Sequence, residues 1–239
     1  MVDHRFDLVV LGGGSGGYAA ALRAAELGKS VALIEKEKVG GTCLHRGCIP
    51  TKALLHAAEV AETTRSAASV GVRASFEAID PAGLRAYREG IVAKKFRGLE
   101  GLVKARGITT VTGVGALEAG LAVRVGDDRY VGTDVVLATG SYSRTLPGLD
   151  IGGRILASEQ ALELDEIPAR DIVLGGGVIG VEFASVWRSF GAEVTIIEAL
   201  PHLAPAEDPR AVQGPRACVP QARDRLLAGR ALRHGDPDG

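Results

Sequence analysis

The chain has 239 residues, 46% of them hydrophobic and 24% charged, with a formal net charge of −1. That length accommodates one large or two medium domains, each burying its own core. The balanced charge excludes the basic footprint of a nucleic-acid binder and the polybasic patch of a membrane-surface protein.

No apolar run reaches transmembrane length, since the longest, residues 172–187, holds Glu182 and several glycines. The start of the chain has neither the cationic opening nor the small-residue cleavage site of a secretory signal. A cytoplasmic protein is expected. Three cysteines are too few for a secreted disulfide scaffold. A close cysteine pair in the cytosol is more often catalytic or redox-sensing than structural.

Residues 6–11 form a short apolar run, expected as a strand, that ends in Gly12-Gly13-Gly14-Ser15-Gly16-Gly17. Residues 18–27 are alanine-rich with apolar positions at helical spacing, and Gly28 is the expected C-cap. Residues 30–34 return to strand character and end at Glu35. This is a βαβ unit. Residues 40–50 read as a dense loop holding Cys43 and Cys48, followed by helices over 51–65 and 81–106. The second of these is apolar on one face and basic on the other. Residues 108–131 alternate in short runs between glycines and suggest an antiparallel β-meander. Residues 135–138 read as a buried strand leading into Thr139-Gly140. After a polar, acidic stretch at 156–168 the first pattern returns: strand 171–174, Gly175-Gly176-Gly177-Val178-Ile179-Gly180, helix 181–190, strand 193–197, Glu198.

A lone G-x-G-x-x-G is weak, because glycine turns are common. Here Gly12, Gly14 and Gly17 follow a strand and open a helix. The first glycine allows the tight turn, the second lets backbone approach a pyrophosphate, and the third permits close helix–strand packing. The phosphates then meet the free N–H groups and positive end of the helix. Glu35 lies eighteen residues after Gly17, placed to accept from ribose hydroxyls. Gly175, Gly177, Gly180 and Glu198 repeat the same spacing. Agreement of both units in context and arithmetic favours two bound dinucleotides over ligand-free glycine turns. Glu198 would repel a 2′-phosphate, and Ala199 and Leu200 supply no arginine to offset it, so NAD is expected rather than NADP.

The segment from Gly40 to Lys52, with its C-x₄-C, is the most specific in the chain. Structural zinc would need four ligands, and only Cys218 and the isolated His45 are available beside the pair, so no metal site is expected. Two inert buried thiols fit poorly with the interleaved Gly, Arg and His. A regular helix would separate positions five apart by about 7.5 Å in rise. That exceeds the usual disulfide Cα range of about 4.4–6.8 Å. The segment must therefore be distorted, and Gly47 supplies the freedom. Arg46, Lys52 and a helix N-terminus near Pro50 form a cationic setting that would lower a thiol pKa and make a disulfide exchangeable.

Residues 40–55, with C-x₄-C followed by Ile-Pro-Thr-Lys-Ala-Leu-Leu, resemble the dihydrolipoyl dehydrogenase family of flavin-dependent disulfide oxidoreductases. The resemblance extends over residues 6–208, including Ala138-Thr139-Gly140 and the run from Gly175 to Glu182. It implies that the first glycine unit binds FAD, helped by Gly115, Ala138, Thr139 and Gly140, and the second NAD. It implies Cys43 as the interchange thiol attacked by dihydrolipoamide and Cys48 as the thiol against the flavin. Lys52 would lie near the flavin's reactive nitrogen, paired with Glu182. An unpaired Glu182 in so apolar a helix would be costly, so a partner is expected on physical grounds as well. Lipoyl domains of a 2-oxoacid dehydrogenase complex are the implied partners, and the family is homodimeric. Glutathione and mercuric reductases share C-x₄-C and stand as alternatives.

The resulting expectation is an α/β chain with two Rossmann-like domains, the second incomplete, and a small β-meander in the first. Residues 1–150 would form the FAD domain, 151–168 a linker, and 169–208 the start of the NAD domain. Residues 209–239 lose periodicity and become rich in Arg, Ala, Pro and Gly. They are expected either as a disordered extension or as out-of-frame sequence. Shifting 221–238 by one base, with permissible codons, restores a strand-like alternation similar to the family's continuation. Members of the family run to about twice this length and end in an interface domain that donates an acid/base His–Glu pair. The chain is therefore expected to be an N-terminal portion, and a non-catalytic flavin-binding fragment is the competing reading.

Overall fold

A computed structural model describes residues 2–208, 210 and 225–228. The chain divides into two compact units, one made of Met1–Pro50 with Arg88–Leu162 and the other of Thr51–Tyr87 with Glu163–Gly239.

The first unit is built on a six-stranded sheet. Strands β1 (Val2–Leu11), β2 (Val31–Glu35), β3 (Thr109–Thr112), β4 (Gly115–Glu118), β5 (Ala122–Val125) and β6 (Asp128–Leu137) take the order β3-β2-β1-β6-β5-β4. The four strands β3, β2, β1 and β6 are mutually parallel, whereas β4, β5 and β6 form an antiparallel meander. Strand β6 serves both parts. Its first residues pair with β5 and its whole length lies beside β1, from Val2 opposite Asp128 to Leu11 opposite Leu137.

Two expectations change here. The stretch 109–112 belongs to the parallel sheet, paired with Ala32–Glu35, so the meander starts only at Gly115. Residues 135–137 are the end of the long β6 rather than a separate strand, and Ala138 lies just past it. A four-residue alternating segment carries too little pattern to declare which neighbour it will join.

Strand period places alternate side chains on opposite sheet faces. On one face Val10, Val31 and Leu33 pack with Ala21 of α1 (Ser15–Glu26) and Val103 of α4 (Pro81–Ala105). On the other, Val9, Ala32 and Ile34 pack with Val123 from the meander. With both faces covered there, the last four residues of β1 and the first four of β2 read as continuous apolar runs, as central parallel strands do.

Between β2 and β3 lie α2 (Gly41–Arg46), α3 (Cys48–Ser66), a short 3₁₀ turn (Ala67–Val70) and α4. The expected loop over 40–50 is thus a short helix, a break at Gly47 and the first turn of a long helix. The stretch expected as a linker contains α5 (Ser158–Ala161).

In the second unit β7 (Arg170–Leu174), β8 (Glu193–Glu198) and β9 (Arg225–Ala228) form a parallel sheet in that order. Helix α6 (Val178–Phe190) buries Phe183, Ala184, Val186, Trp187 and Phe190, with the three aromatic rings packed in sequence along one side. Strand β9 falls within the stretch expected to lack structure, and its backbone pairs with Thr195–Glu198. The remainder of the atypical tail, where the frame question arose, lies outside the described residues.

Candidate functional site

In the first unit the turn after β1 is held by backbone. Gly12 N–H donates to the Ile34 carbonyl (2.8 Å), and Ala138 N–H donates to the Leu11 carbonyl (2.8 Å). Gly12 has φ +104°, and a Cβ there would lie 2.6 Å from the Ala138 carbonyl carbon. Both constraints require glycine. A Cβ on Gly17 would lie 2.9 Å from the Gly12 carbonyl carbon, so its absence lets α1 start directly on the turn. Gly14 is the N-cap of α1 in extended conformation, with no side-chain cap. The first-turn N–H groups of α1 thus keep their donor capacity for a ligand. Space beside Gly16 is open.

Glu35 closes the turn. One carboxylate oxygen accepts from Gly13 N–H (2.7 Å) and the other from Glu37 N–H (2.9 Å). The sequence suggested a ribose acceptor. The structure adds a brace on the glycine turn.

The second unit repeats this construction. Gly175 has φ +106° and donates to the Ile197 carbonyl (2.8 Å). A Cβ on Gly180 would crowd the Gly175 carbonyl, and Gly177 is the uncapped, extended N-cap of α6. Glu198 is buried, accepting from Gly176 N–H (2.6 Å) and Leu200 N–H (2.8 Å). These bonds hold its carboxyl below the ordinary range, the Leu200 amide contributing most, with burial opposing and the nearby His202 assisting. Both cradles have the form that a pyrophosphate needs: close backbone, open space and uncapped helix donors.

The cysteine segment packs onto the first cradle. Gly40 N–H donates to the Gly13 carbonyl (2.8 Å), and a Cβ on Gly41 would lie 2.6 Å from Gly14 Cα. The sequence reading treated these two glycines only as flanks. The signal for them was the double glycine before Thr42, which has no turn of its own to make.

Cys43 lies in α2 and is half-buried, and Cys48 opens α3 and is exposed. Between them Gly47 interrupts the helix at φ −145°, ψ −112°. A Cβ on Gly47 would stand 3.0 Å from the Thr42 carbonyl oxygen and 3.4 Å from Cys43 Cα. A helix break thus falls at Gly47, and the two cysteines are thiols rather than a disulfide in this structure. The helix N-terminus falls at Cys48 itself rather than near Pro50.

The electrostatic setting differs from the expectation. Arg46 is not an uncompensated cation beside the pair, because it bridges Glu37 and Glu159 (3.8 Å to the latter). His45, isolated as a zinc-ligand candidate, donates from Nε2 to the Val39 carbonyl (3.0 Å) and meets the Phe96 ring edge-on at 5.1 Å. Lys38 lies over the same ring at 5.8 Å.

One turn beyond Cys48 on α3, Lys52 donates to Glu182 of α6 (Nζ–Oε1 2.6 Å), both residues belonging to the second unit. Farther along α3, Arg65 donates to the Ser189 carbonyl (2.7 Å), so two contacts join α3 to α6. Glu182 thus has the partner that its apolar helix demanded.

Gly115, expected near the cofactor, starts β4. A Cβ there would lie 2.5 Å from Leu11 Cδ1 and 2.9 Å from Val123 Cγ1, which gives the glycine a packing reason. Thr139 and Gly140 are exposed at the end of β6, next to the Gly12 turn. Among the described residues no three His, Cys, Asp or Glu side chains gather as metal ligands, and no helix is long and apolar enough to cross a membrane.

Residues 6–214 match the family model described as pyridine nucleotide-disulphide oxidoreductase. Over 217 residues the chain is 42% identical to the dihydrolipoyl dehydrogenase of Bacillus subtilis, an alignment covering 85% of this chain and 46% of that protein. Identity to the Chlamydia pneumoniae enzyme of the same name is 41%, covering 84% and 44%. A solved structure of the flavoprotein disulfide reductase RclA from Escherichia coli, a Cu(II) complex, matches with TM-score 0.76 at 27% identity, covering 93% of this chain and 48% of that one. The chain spans about half the length of the relatives it matches.

Proposed function

The chain belongs to the pyridine nucleotide-disulphide oxidoreductase family, and from that premise we propose that it serves two-electron oxidation of dihydrolipoamide, through a Cys43–Cys48 disulfide and FAD, with NAD as acceptor. The observation that carries this reading is the helix break at Gly47 between the two cysteines, with Lys52 one turn on and bonded to Glu182.

In the first step a thiolate of the dithiol substrate attacks Cys43, and Cys48 leaves as a thiolate. The second substrate thiol then displaces Cys43, giving lipoamide and a reduced cysteine pair. Two electrons pass onward to NAD, and the sum is dithiol plus NAD⁺ giving disulfide, NADH and one proton. FAD, held on the first cradle by the α1 amides and Glu35, would supply the two-electron relay between thiol and nicotinamide. The residues of this chain bind and orient. The α1 amides and Glu35 hold one dinucleotide, and the α6 amides and Glu198 the other. Gly47 sets the separation of the thiols, and Lys52 presents a cation whose position is fixed by Glu182. Thr139, Gly140 and the backbone around Gly115 line the first dinucleotide in this reading. Glu198 disfavours a 2′-phosphate, which favours NAD over NADP.

We assign residues 1–150 to the FAD domain, 151–168 to a linker and 169–208 to the beginning of the NAD domain. A cytoplasmic location, a homodimer and lipoyl-domain partners follow from the same reading.

The test is reconstitution of the purified chain with FAD. Expected are a yellow protein, reduction by NADH, a long-wavelength thiolate–flavin absorbance on two-electron reduction that Cys48→Ser abolishes, and NADH formation with dihydrolipoamide. Colourless protein after reconstitution would refute the assignment of the first cradle. Flavin reduction without dithiol turnover would support the reading of a non-catalytic flavin-binding chain. Turnover of glutathione disulfide or mercuric ion in place of dihydrolipoamide would move the assignment to another member of the family.

A further inference from the structure

Helix α2 has six residues, too few to persist on helical hydrogen bonding alone. What fixes it is the trio between the cysteines. Leu44 is buried against Gly40, Arg46 bridges Glu37 and Glu159, and His45 reaches back to Val39 and across to Phe96 of α4. His45, two residues after Cys43, ties α2 both to the segment before it and to α4. A carbonyl oxygen only accepts, so the contact requires the proton on Nε2.

We propose that His45 is a positioning residue for the cysteine pair: its bond to the Val39 carbonyl and its edge contact with Phe96 hold α2 so that Cys43 stays within disulfide range of Cys48. The inference rests on the proposed Cys43–Cys48 disulfide and deepens it. A tether that limits the freedom of the dithiol form favours the disulfide, because closing a ring costs less when its ends are already confined. Removing it lowers the effective concentration of one thiol at the other without changing either thiol.

The test equilibrates the full chain with glutathione redox buffers and traps free thiols, so that the readout is the dithiol–disulfide equilibrium rather than turnover. His45→Leu keeps bulk against Phe96 and removes the donor. His45→Gln retains an N–H at a similar reach. The expected result is a fall of about fivefold in the equilibrium constant for His45→Leu, the size of one hydrogen bond. This corresponds to about 20 mV at about 30 mV per tenfold. Substantial recovery is expected in His45→Gln. Faster alkylation of Cys43 by iodoacetamide in the reduced His45→Leu protein should accompany it. An unchanged equilibrium constant in His45→Leu, with unfolding by urea also unchanged, overturns the role of His45 while leaving the disulfide reading intact. Equal loss in both variants assigns the effect to packing alone and also overturns it. If the parent chain forms no Cys43–Cys48 disulfide in any buffer, the functional reading fails and this inference with it.

Discussion

Gly17→Ala tests the first cradle most directly. In an exposed helix the change would stabilise, since alanine is favoured over glycine by up to about 1 kcal/mol. Here the added Cβ would stand 2.9 Å from the Gly12 carbonyl carbon and nearer still to its oxygen. Ordinary carbon contacts lie at about 3.5–4.0 Å. Relief requires the start of α1 to withdraw by more than half an ångström from a turn fixed by the bonds of Gly12 to Ile34 and Gly13 to Glu35. The helix cannot shift freely, because Ala21 one turn later is fully buried against β1 and β2. Overpacking of this kind costs about 3 kcal/mol. Subtracting the propensity gain leaves a net loss of about 2 kcal/mol, or about 4–8 °C in Tm for a chain of this size. Gly16→Ala is the control: the same helix, one residue away, with no atom within 4 Å of the added Cβ. Thermal unfolding followed by circular dichroism, without added cofactor, should show Gly17→Ala well below the parent and Gly16→Ala at or above it. Equal Tm values for the two variants would refute the close-approach argument for both cradles.

The Lys52–Glu182 pair is partly exposed, so its loss should cost at most about 1 kcal/mol. Lys52→Met should leave Tm within about 4 °C, yet slow flavin reduction by NADH at least about tenfold in stopped-flow absorbance, a rise of about 1.4 kcal/mol in the barrier. Glu198→Gln should destabilise by about 2 kcal/mol at pH 7, since an amide cannot accept from both Gly176 and Leu200. Because the folded carboxyl titrates below its ordinary value, that stability is present above the unfolded pKa and lost as pH falls through the folded one. Urea unfolding at pH 7 and pH 3 should show the difference between Glu198→Gln and parent shrinking in acid. Asp171 on β7 runs the other way: burial raises its pKa, only partly offset by the Ile172 amide, so stability falls as pH rises from the unfolded value through the folded one. Asp171→Asn should therefore stabilise the chain at pH 7 and have no such effect below the unfolded pKa, in the same urea titrations.

The parts of the fold that could be read from the sequence are those whose cause is local. Gly12 and Gly175 need positive φ, Gly17 and Gly180 need a missing Cβ, and Glu35 and Glu198 stand where a strand ends beside a turn. Each condition is set within about thirty residues, the span of one βαβ unit. The misreadings concern partners far along the chain. Nothing within 109–112 says that its neighbour is β2 rather than β4, and nothing around Arg46 announces Glu159. Helix α2 has no local signature, because Leu44, His45 and Arg46 hold it through other elements rather than through propensity. Lys52 and Glu182, 130 residues apart, are joined only by the fold.

The repeated glutamate also alters how the cradles act. A carboxylate offers about four lone-pair sites, and in each unit two backbone N–H groups occupy two of them. Capacity remains for ribose hydroxyls, so bracing the turn and accepting from a dinucleotide do not compete. Bonds within the chain restrain the turn, which would lower the cost of ordering a glycine-rich loop on binding. That division of labour explains why glycine is tolerated at so many adjacent positions: the flexibility needed for close approach is held in check by one carboxylate eighteen residues beyond the last glycine of each turn. It also sets the two units apart from the cysteine segment. There the restraint comes from side chains between the two sulfurs, Leu44, His45 and Arg46, together with the backbone bond of Gly40 to Gly13.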